Sequence, residues 1–364
     1  LPDEPKFAWT RRLAHPGPGG IAATPRLVIV SDRDLTDTAD VFHGLDAANG
    51  DTLWTLRYRA TGRLDYGNAP RATPLIEGER AYLYGAHGDF HCVALATGKV
   101  LWKKNLRQAF SASDDIPWGV ASSPLVVDGK LIVNPGGQDA SLVALDPAGG
   151  QVIWQTPGAP AAFASFIVGT FGGRKQLVGY DKTTLGGWDI QTGHRLWRLE
   201  PPRKDDFNVP TPIAIDGRLL VCTENNGTRL YGFQSDGTIR PEPIAQHAEL
   251  APDTHTPIVL GNRLFGVWEK MFCLDLDNGL KTIWSSDDAP FINYTSIVGA
   301  GQRVLVTSQE GELILLDATA NVFQPLSRLR LFADEAGVLA HPALVGQSLF
   351  VRGSSAVYRL DLAP

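Results

Sequence analysis

Sulfur is scarce in this chain. Three cysteines and one methionine occur among 364 residues, and Cys92, Cys222 and Cys273 stand far apart in apolar, strand-like runs (FHCVAL, LLVCTE, MFCLDL). There is no CxxC, no adjacent Cys–Cys pair and no CxxCH, which excludes the motif-borne metal, redox and haem sites. A thiol in such a run behaves as a small buried hydrophobe, although one disulfide among the three stays open. No apolar run is long enough to cross a bilayer as a helix. An excess of basic charge is also missing. Against 39 Asp+Glu stand 33 Lys+Arg, for a net charge of −6, which argues against a nucleic-acid partner. With 43% hydrophobic and only 20% charged residues, the composition excludes a disordered chain. The start at Leu1 and the single Met271 lead us to expect a processed chain from which a signal peptide has been removed.

What the chain has in quantity is a repeat. Trp9, Trp54, Trp102, Trp154, Trp197 and Trp284 recur in steps of roughly 45 residues or twice that. A second column agrees with the first. It consists of Thr24-Pro25, Thr73-Pro74, Ser123-Pro124, Thr211-Pro212, Thr256-Pro257 and His341-Pro342, with Ser165-Phe166 and Thr295-Ser296 filling the same slot without proline. Eight units result, and they consume the whole chain. Within a unit, Val/Ile/Leu runs alternate with Gly, Asp and Asn turns, as in SSPLVV-DGK-LIVNPGG-QDASLVALD-PAGG-QVIW, which predicts four antiparallel strands. The third turn repeats as Asp46–Gly50, Asp146–Gly150, Asp189–Gly193 and Asp275–Gly279. There the Asp side chain can accept backbone N–H bonds and Gly supplies a positive φ.

Four-stranded units of this length predict an all-β, eight-bladed β-propeller forming one domain over 1–364. The last blade, residues 341–362, is expected to be completed by the N-terminal strand Phe7-Ala8-Trp9-Thr10, so that no blade edge is left open at the seam. The six repeated tryptophans are read as blade-docking residues on the outer strands.

GLDAANGDTLW (44–54), SLVALDPAGGQVIW (141–154) and GWDIQTGHRLW (187–197) resemble the PQQ-like repeat. The likeness covers essentially the whole chain, weakening in units five and seven, which lack the tryptophan. Two kinds of relative follow from it. Quinoprotein alcohol dehydrogenases are longer, bind the quinone with Ca²⁺, and often carry an adjacent-cysteine disulfide; the Cys–Cys pair and a counterpart of the ligand set are missing here. The BamB-like propellers are eight-bladed, non-enzymatic and of about this length. The resemblance therefore implies a non-catalytic binding scaffold working outside the cytoplasm, with no cofactor and with neither PQQ nor Ca²⁺ expected.

The loops leading into the Thr/Ser-Pro slots are expected to ring one face. They contribute Tyr66, Asp114, Asp115, Trp118, Asp205, Asp206, Asn208, Asp253, His255, Asn293, Tyr294 and His341 as candidate ligand-binding residues of an acidic, aromatic channel mouth. Structural readings compete with this one. Asp114-Asp115 and Asp205-Asp206 suit solvated turns. His255 and His341 suit hydrogen-bonded architecture better than a metal site, because no HxH or HExxH spacing is present. Trp118 fits a channel cap and a blade seam equally well. In SDRDLTDTADVF (31–42), Asp32, Asp34, Asp37 and Asp40 read as a solvated acidic loop rather than a Ca²⁺ loop, which would need a Gly kink and a terminal Glu.

No catalytic and no metal residue is assigned. The expected partner is a protein or a cell-envelope component met by a monomer, not nucleic acid. The rival reading is a quinone-, sugar- or metal-dependent enzyme or binder. In it Asp114, Asp206 or Asp253 would act with His255 or His341, and Trp118 and Tyr294 would stack on a ring.

Overall fold

The computed structural model describes residues 1, 4, 6–112, 115–204, 206, 208–332 and 337–362. Its strands form eight four-stranded antiparallel sheets, the blades of an eight-bladed β-propeller. Blades 1 to 7 occupy residues 22–59, 75–105, 125–156, 167–199, 213–247, 258–286 and 295–330. Blade 8 takes its three inner strands from 343–361 and its outer strand, Phe7–Arg12, from the other end of the chain. The expected clasp is present, with Thr10 paired to Tyr358 and Arg12 to Ala356.

Contacts divide the chain into two compact units. One comprises Leu1–Lys104, Ile116–Ala121 and Asp287–Pro364 and holds blades 7, 8, 1 and 2. The other comprises Asn105–Asp115 and Ser122–Ser286 and holds blades 3 to 6.

The core lies between successive blades rather than inside any of them. In the first unit, Trp9, Val28, Val30 and Leu45 meet Phe350 and Val357, and Ile29, Phe42 and Trp54 meet Leu83 and Val93. In the second, Trp154 and Leu142 meet Trp188 and Ile190, while Val178 and Trp197 meet Leu219 and Val221. Middle strands are covered on both faces, so Leu27–Arg33 is buried at every position and shows no polar alternation. Outer strands keep one wet face, and Thr52–Arg59 alternates accordingly.

Two devices set the blades against each other. The first is a β-bulge one residue ahead of the tryptophan. Trp54 opposes Gly44 while Thr52 opposes Leu45, leaving Leu53 unpaired, and the same shift precedes Trp9, Trp154, Trp197 and Trp284. An extra residue increases the local twist and re-aims the side chain that follows it. Three of these indoles then reach the third turn of the next blade, whereas Trp197 Nε1 donates to Gln176 Oε1 of its own blade at 2.6 Å. Trp9 Nε1 donates to the Ala47 carbonyl at 3.0 Å, Trp54 Nε1 to Leu95 at 2.8 Å, and Trp154 Nε1 to Ile190 at 3.0 Å. Gly50 and Gly193 on those turns have φ of 76° and 72°, and a Cβ at either would lie within 2.7 Å of the docked indole. Trp102 instead stacks on Phe90 of its own blade at 5.6 Å. The turn Asp residues act as expected: Asp46 Oδ1 accepts from Ala48 N at 2.7 Å and Asp189 Oδ1 from Thr192 N at 2.9 Å.

The second device is the Thr/Ser slot. In the second unit the slot N–H of each blade donates to the slot hydroxyl of the next: Ser123 N to Ser165 Oγ (2.9 Å), Ser165 N to Thr211 Oγ1 (3.3 Å), and Thr211 N to Thr256 Oγ1 (2.9 Å). Proline after the slot holds the chain extended as it enters the inner strand. Because Thr211→Val keeps the shape but removes the acceptor for Ser165 N, we expect it to cost about 1–3 kcal/mol in equilibrium urea unfolding. Trp154→Ala, which empties a blade seam, should cost about 3–5 kcal/mol in the same measurement.

Candidate functional site

The slot loops divide into side chains used by the fold and side chains left at the surface. In the second unit Asp206 and His255 belong to the first class. Asp206 is buried, and its carboxylate accepts from Asn225 N at 2.9 Å and Asn226 Nδ2 at 2.6 Å, with Arg229 Nη2 at 3.7 Å. Arg229 is buried as well and donates to Thr223 Oγ1 at 2.7 Å. Beside this pair lies Tyr180, whose hydroxyl has no hydrogen-bond partner among the described residues and is pushed upward in pKa by burial. Asn208 is buried; its main-chain carbonyl accepts from Phe163 N and Ala164 N (3.3 and 2.9 Å), while its side-chain Oδ1 has no hydrogen-bond partner among the described residues. His255 Nε2 accepts from Val267 N at 2.9 Å, which places the ring proton on Nδ1 and uses the imidazole as an extension of the sheet. Asp253 is half-buried, and burial raises its pKa while Thr254 Oγ1 donates to it at 3.1 Å. Asp115 is exposed. Asp114 and Asp205, with their neighbour Phe207, lie outside the described residues.

The first unit shows the opposite tendency. Tyr66 is 75% exposed at a φ of 61°, a conformation unusual for a tyrosine. Arg71, not singled out by sequence, holds it there by donating to the carbonyls of Asp65, Gly67 and Ala69 at 2.7, 2.6 and 2.5 Å, and burial lowers the Arg71 pKa to about 10. The half-buried Trp118 sits on a neighbouring loop joined by Asp65 N to Pro117 O at 2.8 Å. Asn293 is exposed and bonds Glu310 at 2.6 Å, and the exposed His341 turns Nδ1 onto the Pro342 carbonyl at 3.0 Å. Tyr294 is 37% exposed, and beside it in the same two slot loops are Ile292 at 63% and Leu339 at 36%, which the sequence reading missed. A lone apolar residue in a loop carries no periodicity, so only the burial could reveal them.

The acidic stretch 31–42 is corrected by the structure. Asp32 and Asp40 are not in a solvated loop; they lie on strands at 3% and 0% exposure. Arg33, equally buried, bonds Asp40 at 2.7 Å, Asp37 at 2.8 Å and the Ala60 carbonyl at 3.0 Å. Asp34 is taken by Arg57 at 2.7 Å and by the N–H groups of Thr38 and Ala39. Asp32 accepts from Ala14 N, His15 N and Arg33 N, anchoring the crossover from the outer strand of blade 8 into blade 1. Burial outweighs the Arg33 pairing at Asp40 and raises its pKa to about 6.

Among the described residues, no group of three or more His, Cys, Asp or Glu side chains is placed to hold a metal ion. Nor do the residues fit a quinone–calcium pair. The three thiols are buried and free, and the Asp206 carboxylate already faces Arg229 and two asparagines. Among the described residues, no helix is long and apolar enough to cross a membrane.

Comparison with known proteins agrees with this architecture. The family model described as outer membrane protein assembly factor BamB matches residues 37–286. The Yersinia pestis outer membrane protein assembly factor BamB is 22% identical over 334 residues, covering 88% of this chain and 79% of that protein. The solved structure of BamB from Moraxella catarrhalis aligns with a TM-score of 0.64 at 17% identity over 94% of each chain, a likeness of fold alone. A quinohemoprotein alcohol dehydrogenase, ADH IIB of Pseudomonas putida, is 25% identical over 226 residues, which span 57% of this chain but 30% of that enzyme.

Asp206→Ala leaves Arg229 buried without its carboxylate and removes the acceptor shared by Asn225 N and Asn226 Nδ2, and should cost about 3–5 kcal/mol in chemical denaturation. Asp40 binds its proton more readily in the folded than in the unfolded state. Its contribution should therefore stabilise the fold progressively as pH falls from about 6 toward 4, with no further change below that window. Carbon-13 NMR should place the Asp40 carboxyl transition near 6, and a midpoint near the ordinary aspartate value would contradict it.

Proposed function

The chain belongs to the outer membrane protein assembly factor BamB family, and from that premise we propose a non-catalytic propeller acting outside the cytoplasm. It serves as a monomeric scaffold that docks a protein of the cell envelope during outer membrane assembly. The observation that carries this reading is the division among the slot-loop side chains. Two polar groups from which an active site would be built, Asp206 and His255, are bonded into the fold, while apolar tips stand exposed.

The docking surface we propose is formed by Ile292, Tyr294 and Leu339 on blades 7 and 8. Their loops are bound to one another. Gln309 N donates to the Tyr294 carbonyl at 2.9 Å, and the Gln309 carbonyl accepts from Gly337 N and Val338 N, both at 2.9 Å. Loops fixed in this way lose little conformational freedom on association, so more of the contact energy appears as affinity. Tyrosine with aliphatic neighbours is a composition from which interface hot spots are built.

In the source organism, loss of the gene should lower the yield of assembled outer membrane barrels. The double variant Tyr294→Ala/Leu339→Asp should fold, keep its thermal midpoint, and fail to restore that yield. Alongside, the purified protein given PQQ, Ca²⁺ and an alcohol should show neither turnover nor a thermal shift. Full complementation by the double variant, or measurable turnover, would overturn the reading.

A further inference from the structure

The chain is acidic overall, yet the outer strands of three successive blades in the first unit end on basic pairs. Arg11 and Arg12 close Phe7–Arg12 in blade 8, Arg57 and Arg59 close Thr52–Arg59 in blade 1, and Lys103 and Lys104 lie at the end of Val100–Asn105 in blade 2. These blades share one strand order, and the inner strand of blade 1 lies beside those of blades 8 and 2. Their outer strands therefore run in the same direction and end on one face, the face of the slot loops.

Blade 7 shows what a used pair looks like. There Arg328 bonds Asp288 and Glu312, and Arg330 Nε donates to the Phe332 carbonyl at 3.0 Å. By contrast Arg11, Arg12, Arg59, Arg63 and Lys103 are all exposed, and none has a carboxylate partner among the described residues. The acids on the same face of blades 1 and 2 include Asp34, taken by Arg57, Asp37 and Asp40, taken by Arg33, the buried Asp32, the half-buried Asp89 and the exposed Asp65.

Two apolar tips rise within this basic rim. Leu35, at the turn between the second and third strands of blade 1, is 86% exposed, and Tyr66 is 75% exposed. Their loops are tied together, with Asn68 Nδ2 donating to Asp37 at 2.7 Å and Leu64 N to Asn68 Oδ1 at 3.0 Å. Beside Leu35 lies a shallow, open depression whose lining includes Asp32 and Asp34 together with Arg33, His43 and Arg57, so its carboxylates are matched by cations.

From this arrangement we propose that the slot-loop face of blades 8, 1 and 2 docks on an anionic phospholipid surface. Arg11, Arg12, Arg59, Arg63 and Lys103 meet headgroup phosphates, and Leu35 and Tyr66 enter the interface. A protein interface would require a contiguous apolar core poor in lysine. Here the apolar residues are single tips separated by cations, and a bilayer accepts tips at any spacing. Tyrosine settles at headgroup depth, the leucine reaches the acyl boundary, and guanidinium groups fork onto phosphate oxygens. Juxtaposed cations add to one another within a Debye length of the surface and are screened by salt. The inference stands apart from the scaffold reading, because it concerns other blades and its test needs no protein partner.

The test is vesicle co-sedimentation of the intact chain on phosphatidylcholine vesicles with and without phosphatidylglycerol. We expect binding only to the phosphatidylglycerol vesicles, abolished by raised salt. The triple variant Arg11→Glu/Arg59→Glu/Lys103→Glu should bind at least tenfold more weakly at an unchanged thermal midpoint, and the surface control Lys130→Glu on blade 3 should bind as the parent does. A Leu35→Trp variant should show blue-shifted emission on anionic vesicles alone. Equal binding to neutral vesicles, retained binding by the triple variant, or retention on a polyglutamate matrix without vesicle binding would overturn the proposal, the last assigning the rim to an acidic protein.

Discussion

The indole that leaves one blade and bonds to the third turn of the next is the interaction on which the architecture rests. A single blade has two apolar faces and cannot bury either alone, so its stability depends on how accurately the next blade is placed. The tryptophan supplies that placement because it joins a large apolar surface to one directed N–H. The rest of the repeat is arranged around it. A bulge precedes it and turns it outward. A small residue stands opposite four of the tryptophans, Gly44 before Trp54, Ala144 before Trp154, Gly187 before Trp197 and Cys273 before Trp284, while Trp9 faces Arg359. A Cβ on Gly44 or Gly187 would lie about 2 Å from the ring, so these positions are sterically closed. Cys273 is thereby accounted for as a small side chain opposite an indole, buried and unpaired, with its thiol pKa held up near 12 by burial.

Buried arginines form the second layer of this organisation. Arg352 is fully buried and donates to the carbonyls of Ser31 and His15, fastening the second strand of blade 8 to the entry into blade 1. Burial brings its pKa down to about 10, still far above neutrality. Arg33 clasps the second hairpin of blade 1 to the end of its outer strand, and Arg71 gathers three carbonyls beneath Tyr66. The planar guanidinium suits this task, since one group can satisfy several carbonyls that lack β-ladder partners. Rigid slot loops follow from these clasps, and rigid loops are what let isolated tips at the surface act as recognition elements.

The repeat was legible because it is written in residues with narrow uses. Tryptophan at fixed spacing, Asp and Gly at the third turn, and a hydroxyl before proline each recur in sequence because the same geometry recurs in space. The split blade could be read for the same reason: Trp9 needed a unit to belong to. The bulges were not legible, since Leu53 and Ile153 are ordinary strand residues whose unpaired status depends on a neighbour's register. The polar site residues were misleading for a related reason. Asp206 and Asn208 look like surface turn residues, but Arg229, more than twenty positions away in the chain, draws the first inward. In 31–42, four aspartates suggested solvent, whereas the arginines at 33 and 57 neutralise three of them within the fold.

A propeller that used its slot loops for chemistry would need polar groups left incompletely satisfied, because a catalytic side chain must exchange its partner for substrate. The described slot loops are organised in the opposite sense. Asp206 accepts from two donors beside a cation, and the Nε2 lone pair of His255 is already filled by Val267 N. To release any of these groups would loosen a loop before it bound anything. The exposed tips carry no such penalty, since Leu35, Tyr66, Ile292 and Leu339 make their surface available without breaking a bond. The division between satisfied polar groups beneath and apolar tips above therefore favours surface recognition over turnover on energetic grounds, whichever partner each set of blades meets.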